Sequence, residues 1–363
     1  MATLIRSPFV DDLIPLILDI SDHWWTEDYL RLAYVSSPWL YYVRKRLYAC
    51  PSISSFTASQ ALAETLQGNP ELLRLVSGIE LQPMATRQPG NVVTGAQAAS
   101  MHYLLGLEGL KKVRLGGQMA RQAERFLNSL AFPDHVEELV VDGWMLGEGP
   151  GFSPSLEWDE SMLYRFTNLQ TLRLANVELD IIAPSVPAAP RQLPINHLIL
   201  DNVDILDGFL CQMVGGAVVN SLSICAKSPC EYDEQVRLVL DNCDVQALQY
   251  EVSSALRAEQ SFLAGEPGQL PLRRLRLEGH SMDIGMLSEI AQRCTGLQEL
   301  IIGGRSVAIT PQEWEGFITT RPLTALERIG LPGGSHLPPF VKWTPADFIA
   351  LQSASESQRI QLI

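Results

Sequence analysis

A short apolar motif returns along most of this chain. Its form is Leu-x-x-Leu-x-Leu with aliphatic substitutions, and the clear copies end at Leu115, Val141, Leu174, Leu200, Ile224, Leu277, Ile302 and Leu331. Leu110-Lys-Lys-Val113-Arg-Leu115 and Leu272-Arg-Arg-Leu275-Arg-Leu277 are typical. Leu238-Val-Leu240 reads as a partial copy and Ile79-Glu-Leu81 as an earlier one. The alternation that closes each copy predicts a strand whose apolar side chains share one face. Most steps between copies span 24 to 33 residues, but the copy at 240 breaks the rhythm with steps of 16 and 37.

The residues after the strands recur as well. Leu174 is followed by Ala-Asn-Val-Glu-Leu179, Leu200 by Asp-Asn-Val-Asp-Ile205 and Leu240 by Asp-Asn-Cys-Asp-Val245. Asn there predicts a turn out of the strand, because its side chain can bond the backbone. Between strands lie helix signals. Asp283 to Cys294 places Ile284, Leu287, Ile290, Ala291 and Cys294 on one helical face, and Val245 to Phe262 is a longer candidate helix. Thr310-Pro-Gln-Glu313 and Thr344-Pro-Ala-Asp347 read as capped helix starts. Strand alternating with helix predicts a one-dimensional solenoid with a parallel sheet on one face. The period is near or somewhat above that of leucine-rich repeats, and Met286 to Leu297 is similar to the repeat units of F-box leucine-rich-repeat proteins. Such an array needs caps at its ends. The helix from Thr344 is the candidate at one end, and the region before residue 110 at the other.

Residues 1–60 have a different, helical character. Phe9, Leu13, Leu16, Ile17 and Ile20 recur at steps of three and four. A second apolar pattern runs from Tyr29 to Leu47 and is broken at Ser36-Ser37-Pro38, which predicts two helices meeting there. The polar and aromatic link Asp22-His-Trp-Trp-Thr-Glu-Asp28 precedes it. Phe9-Val-Asp-Asp-Leu13-Ile-Pro-Leu16-Ile17, then Tyr29 to Val35-Ser-Ser-Pro-Trp39-Leu40, then Arg44-Lys-Arg-Leu47-Tyr48 together resemble an F-box. Phe9-Val10 stands where that family has Leu-Pro, Ser36 where Cys is common, and Pro15 falls inside the first helix. Asn69 to Leu81 looks like the bridge into the repeats of fungal F-box-like proteins.

Composition narrows the function classes. The chain has 363 residues, 46% hydrophobic and 19% charged, which is a core-forming balance. Net charge is −14, and residues 91–363, with 20 basic against 32 acidic side chains, hold −12 of it. Phosphate recognition needs clustered positive charge, so nucleic acid is not an expected partner. Arg44-Lys45-Arg46 reads as a solvated helix end. The acidic flanks of Leu13–Leu18 do not suit a signal peptide, and no apolar run has membrane-spanning length. No membrane partner is expected, and the expected location is intracellular, cytoplasmic or nuclear. Six scattered cysteines do not form a disulfide framework or a zinc motif. The six histidines are scattered too, with no His-Glu-x-x-His, Gly-x-Ser-x-Gly or phosphate loop. Gly147–Gly151 and Pro332–Ser335 read as turns. No catalytic residue, metal or cofactor is expected.

The order of the two regions predicts a small all-α module over 1–60, a helical bridge and cap over 61–105, and an irregular α/β repeat solenoid over 106–363. The resemblance implies a substrate-recognition adaptor of an SCF-type cullin-RING ubiquitin ligase. Its helical end would dock the linker subunit through Leu13, Leu16, Ile17, Leu30, Val35 and Trp39. Strand alternation points Arg114, Asp142, Arg173, Asp201, Asp241, Arg276 and Glu278 to the concave face, together with Val140, Ile199, Ser223, Val239 and Ile301. That face would hold a protein target. The alternative is a non-degradative interaction scaffold in which Leu13, Leu16, Ile17 and Ile20 are only the core of a helical cap.

Overall fold

The computed structural model describes residues 11–20, 24–84, 93–144, 154–182, 195–214, 218–254, 261–264 and 268–363. Phe9-Val10, Asp22-His23 and Gly147–Gly151 lie outside the described residues. The chain is a mixed α/β structure organised by one sheet of 12 strands. Every pairing in that sheet is parallel. The strands follow in chain order: Ser52–Ile53, Gly78–Leu81, Lys112–Gly116, Glu138–Asp142, Thr171–Ala175, His197–Asp201, Ser221–Ala226, Ala247–Val252, Arg274–Glu278, Glu299–Gly303, Arg328–Gly330 and Gln361–Leu362. Each strand neighbours the next in sequence within the sheet, which gives the solenoid-like progression that the motif spacing predicts.

The register stacks the motif's last position into one column: Leu81, Leu115, Val141, Leu174, Leu200, Ile224, Tyr250, Leu277 and Ile302. All nine are buried in a single core. Full burial of a side chain of this size contributes about 1.5–3 kcal/mol, so the column and its Leu-x-x-Leu partners hold the array together.

One predicted strand is displaced. Leu238-Val-Leu240 belongs to the helix Pro229–Asn242, where Val236, Val239, Leu240 and Cys243 form the buried stripe at helical spacing. The strand of that repeat is Ala247–Val252, and its motif is Val245-Gln-Ala-Leu248-Gln-Tyr250 with Tyr in the last place. Tyr250 restores the rhythm to steps of 26 and 27. The helix predicted over Val245–Phe262 is therefore corrected over 247–252. The Asp-Asn-Cys-Asp run after Leu240 ends a helix instead of leaving a strand.

Asparagine does the predicted work elsewhere. Asn176 and Asn202 adopt left-handed backbone, with φ of 52° and 53°. The Asn202 Nδ2 donates to Asn176 Oδ1 at 2.9 Å, so successive turns are tied together. In the same sheet column Gly279 and Gly304 take positive φ without a side chain, while Ala226 and Val252 simply lengthen their strands. After the Asn turns come the strands Glu178–Ile181 and Asp204–Asp207, which join Ser155–Trp158 in a second, three-stranded parallel sheet.

The helices start where the caps predict. Thr310 and Glu313 exchange bonds, Thr310 N–H to Glu313 Oε2 at 2.8 Å and Glu313 N–H to Thr310 Oγ1 at 3.3 Å. Thr344 and Asp347 repeat the arrangement at the start of the last helix, Pro345–Ser357. Asp283 caps Ile284–Arg293, where Leu287 and Ile290 are buried with Cys294 but Ile284 is exposed.

Three helices precede the sheet: α1 Leu13–Ile20, α2 Thr26–Ala33 and α3 Ser37–Ala49. Pro15 falls in the first turn of α1, where its missing N–H is tolerated. Ile14, Leu18 and Val43 form a separate small core, joined by Tyr29, Leu32, Ala33, Trp39, Tyr42 and Leu47. The large core begins at Ile53, and the first strand at Ser52, well before residue 106. No helix among the described residues is long and apolar enough to cross a membrane.

Candidate functional site

The three N-terminal helices present an apolar surface. The α1 segment Leu13-Ile-Pro-Leu-Ile-Leu-Asp-Ile20 is apolar almost all round, so only part of it can be buried by α2 and α3. Ile14 and Leu18 take the inward side; Leu13, Leu16, Ile17 and Ile20 stay exposed. The reading of these four as the core of a cap is corrected here, because their burial is taken by Ile14 and Leu18. On and beside α2, Leu30 is 53% and Val35 63% exposed, and Trp25, Tyr34 and Tyr41 add aromatic surface. Trp39 differs: it is half-buried and packs on the small core. The Arg46 Nη1–Asp19 Oδ1 ion pair, 3.1 Å, links α3 to α1 at its edge. Exposed apolar side chains grouped on one small unit are a common feature of interaction surfaces.

The second surface is the open face of the large sheet. Strand alternation puts Arg114, Arg173 and Arg276 in one column with Glu80, Val140, Ile199, Ser223, Gln249 and Ile301. Asp142, Asp201, Glu251 and Glu278 stand two residues further along, with Gly116, Ala175, Cys225 and Gly303. Six of the seven sequence-predicted residues thus share the face. Asp241 does not, and neither does Val239, which is buried on the inner side of the Pro229–Asn242 helix. Asp241 lies in the last turn of that helix, where its Oδ1 accepts from Arg293 Nη2 at 3.1 Å. Glu251 and Arg274 join the face instead, and sequence reading missed Glu251 because its strand was placed at Leu238–Leu240.

Ion pairs cross this face between neighbouring strands. Arg114 Nη2 meets Asp142 Oδ2 at 3.0 Å and Arg173 Nη2 meets Asp201 Oδ2 at 3.6 Å. Lys112 Nζ lies 3.1 Å from Glu138 Oε1, and Arg328 Nη2 lies 2.5 Å from Glu299 Oε2.

A cluster of ionisable groups lies under the sheet. Tyr250 donates its hydroxyl to Asp233 Oδ1 at 2.9 Å, and its ring meets the His280 ring edge-on at 4.4 Å. Burial pushes the Asp233 carboxyl up to about 6, against the lowering effect of the Tyr250 bond, and pushes His280 down to about 4. Both side chains are buried. A cavity of about 540 Å³ opens elsewhere, between Phe56, Met84, Met101, Met119 and Phe126. His102 and Arg125 are its ionisable lining residues, and they make no acid–base pair with each other. Among the described residues no group of three or more His, Cys, Asp or Glu side chains could hold a metal ion. Comparison with models of known families, with curated proteins and with solved structures returned no match for this chain.

Proposed function

We propose that this chain is a target-recognition adaptor of an SCF-type cullin-RING ubiquitin ligase. In this reading α1–α3 form an F-box-like module that docks the ligase's linker subunit. The leucine-rich-repeat solenoid behind it holds a protein target on its concave face. The observation that carries the reading is the exposure of Leu13, Leu16, Ile17, Leu30 and Val35 on a helical unit with its own small core. Trp39 serves that unit by packing, and the docking contacts fall to the other five residues.

The mechanism is proximity. The chain makes and breaks no bond; two binding surfaces on one body raise the effective concentration of target lysines near the conjugating enzyme. A mixed-charge sheet face with aliphatic positions suits a protein surface better than a polyanion. A second reading is a non-degradative scaffold whose N-terminal helices only cap the repeats, and the packing of Tyr48 on the large core favours it. It leaves the exposed face on α1 and α2 without a role.

Deleting residues 1–48 tests the choice. The adaptor reading expects loss of co-purification with the linker subunit while the repeat body, whose sheet begins at Ser52, still unfolds in a cooperative transition, lowered only by the loss of the Tyr48 contact. Retained linker binding would refute it.

A further inference from the structure

The charges on the open sheet face are not equivalent. On the N-terminal half they are consumed within the molecule: Lys112 with Glu138, Arg114 with Asp142, Arg173 with Asp201. The middle of the face is neutral, with Ile199, Ser221, Ser223 and Cys225. The strands Ala247–Val252 and Arg274–Glu278 break this pattern. Arg274, Arg276 and Glu251 are exposed, and among the described residues no ion pair or side-chain hydrogen bond engages them; Glu299, which faces Arg274 from the next strand, is held by Arg328. Glu278 joins them in register beside Glu251, its carboxylate lying over the bare Cα of Gly303. The two arginines stand in successive columns of one strand, and both carboxylates stand in the next column towards the strand ends.

We propose that this four-residue patch is the target-contact centre of the sheet face, and that it takes an extended peptide segment carrying an acidic and a basic side chain two residues apart. The proposal rests on the adaptor reading for its biological setting. The physical reasoning is charge complementarity. Columns on one strand are about 6.6 Å apart, and alternate residues of an extended peptide repeat at the same interval on the same side. A Glu-x-Lys segment therefore sets its carboxylate against Arg274 and Arg276 and its ammonium against Glu251 and Glu278. Arg114 and Arg173 already hold carboxylates, and a ligand would have to displace those before gaining its own. Like charges opposite each other, as Glu251 and Glu278 are, cost stability in a sheet, and a cationic side chain between them relieves that cost.

The test uses the full chain and synthetic peptides identical except for a central Glu-Ser-Lys, Glu-Ser-Glu or Lys-Ser-Lys triplet, with binding read by fluorescence anisotropy at low salt. The wild-type chain should prefer Glu-Ser-Lys, by about twofold to fivefold for each exposed pair gained. The Arg274→Gln/Arg276→Gln variant should shift its preference to Lys-Ser-Lys, and Glu251→Gln/Glu278→Gln to Glu-Ser-Glu. A Lys111→Gln/Arg121→Gln control, which removes two charges elsewhere, should keep the wild-type order. No preference in the wild type, or an order unchanged in both patch variants, overturns the proposal. Linker-subunit co-purification is read on the same variants. Its absence in the wild type would end the adaptor reading without touching the peptide result, and its presence beside a failed peptide preference would end the patch alone.

Discussion

Replacing Asp233 or His280 should give stability changes of opposite pH dependence. The two groups flank Tyr250 in the core and are perturbed in opposite directions. Asp233 ionises near 6 in the fold and near 3.8 when unfolded. Its folded form binds the proton more tightly, so its contribution is favourable at low pH and is lost as pH rises through that window. His280 titrates near 4 in the fold and 6.5 unfolded. Here the unfolded chain binds the proton more tightly, so stability is full above 6.5 and falls as pH drops towards 4. Each displacement corresponds to about 3 kcal/mol. In the wild-type chain the two trends largely cancel between pH 4 and 7. Arg237, whose charge favours ionised Asp233, belongs to the same environment and is unchanged in both variants. Relative to wild type, Asp233→Asn should therefore be more favourable at pH 7 than at pH 4 by about 3 kcal/mol. His280→Gln should show the reverse by a similar amount. Urea unfolding of the three proteins at both pH values measures this, and comparison with wild type removes every other titrating group. Two differences of the same sign, or none, would refute the burial-driven assignment.

Three further outcomes follow from the same packing. Leu174→Ala should destabilise by about 2–5 kcal/mol, whereas Arg173→Ala, one residue away on the open face, should cost no more than about 1 kcal/mol; paired denaturation curves check both. Asn176→Ala forces a Cβ-branching-free but still L residue into left-handed backbone and removes a turn-to-turn bond, so a loss of about 2 kcal/mol is expected, with Asn176→Gly recovering the backbone part. Burial pushes the thiol of Cys294 up to about 12 and that of Cys50 up to about 11. In the native protein a thiol reagent at mildly alkaline pH should modify exposed Cys230 first, with Cys294 reacting only on unfolding, as mass spectrometry of labelled peptides would record.

The sheet was legible because most of its longer strands bury two aliphatic residues one position apart, and the caps because Thr-Pro-x-Glu and Thr-Pro-x-Asp carry their hydrogen bonds locally. Where legibility failed, one pattern fitted two structures. Leu238-Val-Leu240 alternates like a strand, yet Val236, Val239 and Cys243 complete a helical stripe around it, and the tyrosine of the true strand does not match an aliphatic template. That single displacement carried Asp241 onto the face and left Glu251 off it. In α1, Leu13 to Ile20 is apolar in nearly every direction, so periodicity could not say that Ile14 and Leu18 face inward while Leu16 and Ile17 face out. The second sheet was half visible: Val177, Leu179 and Val203 were legible as residues returning to the core, but pairing between three such segments is a tertiary fact. Which charges remain unneutralised is equally tertiary, since it depends on register between strands some 26 residues apart.

The most direct test of the account is calorimetric titration of purified linker subunit into the wild-type chain and into a Leu16→Asp/Leu30→Asp variant. Both substitutions sit at exposed positions, so the fold should persist with an unchanged unfolding transition. The account predicts saturable binding to the wild type and at least about a tenfold loss in the variant, since burying a carboxylate at an apolar interface costs more than about 1.4 kcal/mol. Equal binding by both proteins, or none by the wild type, would contradict it.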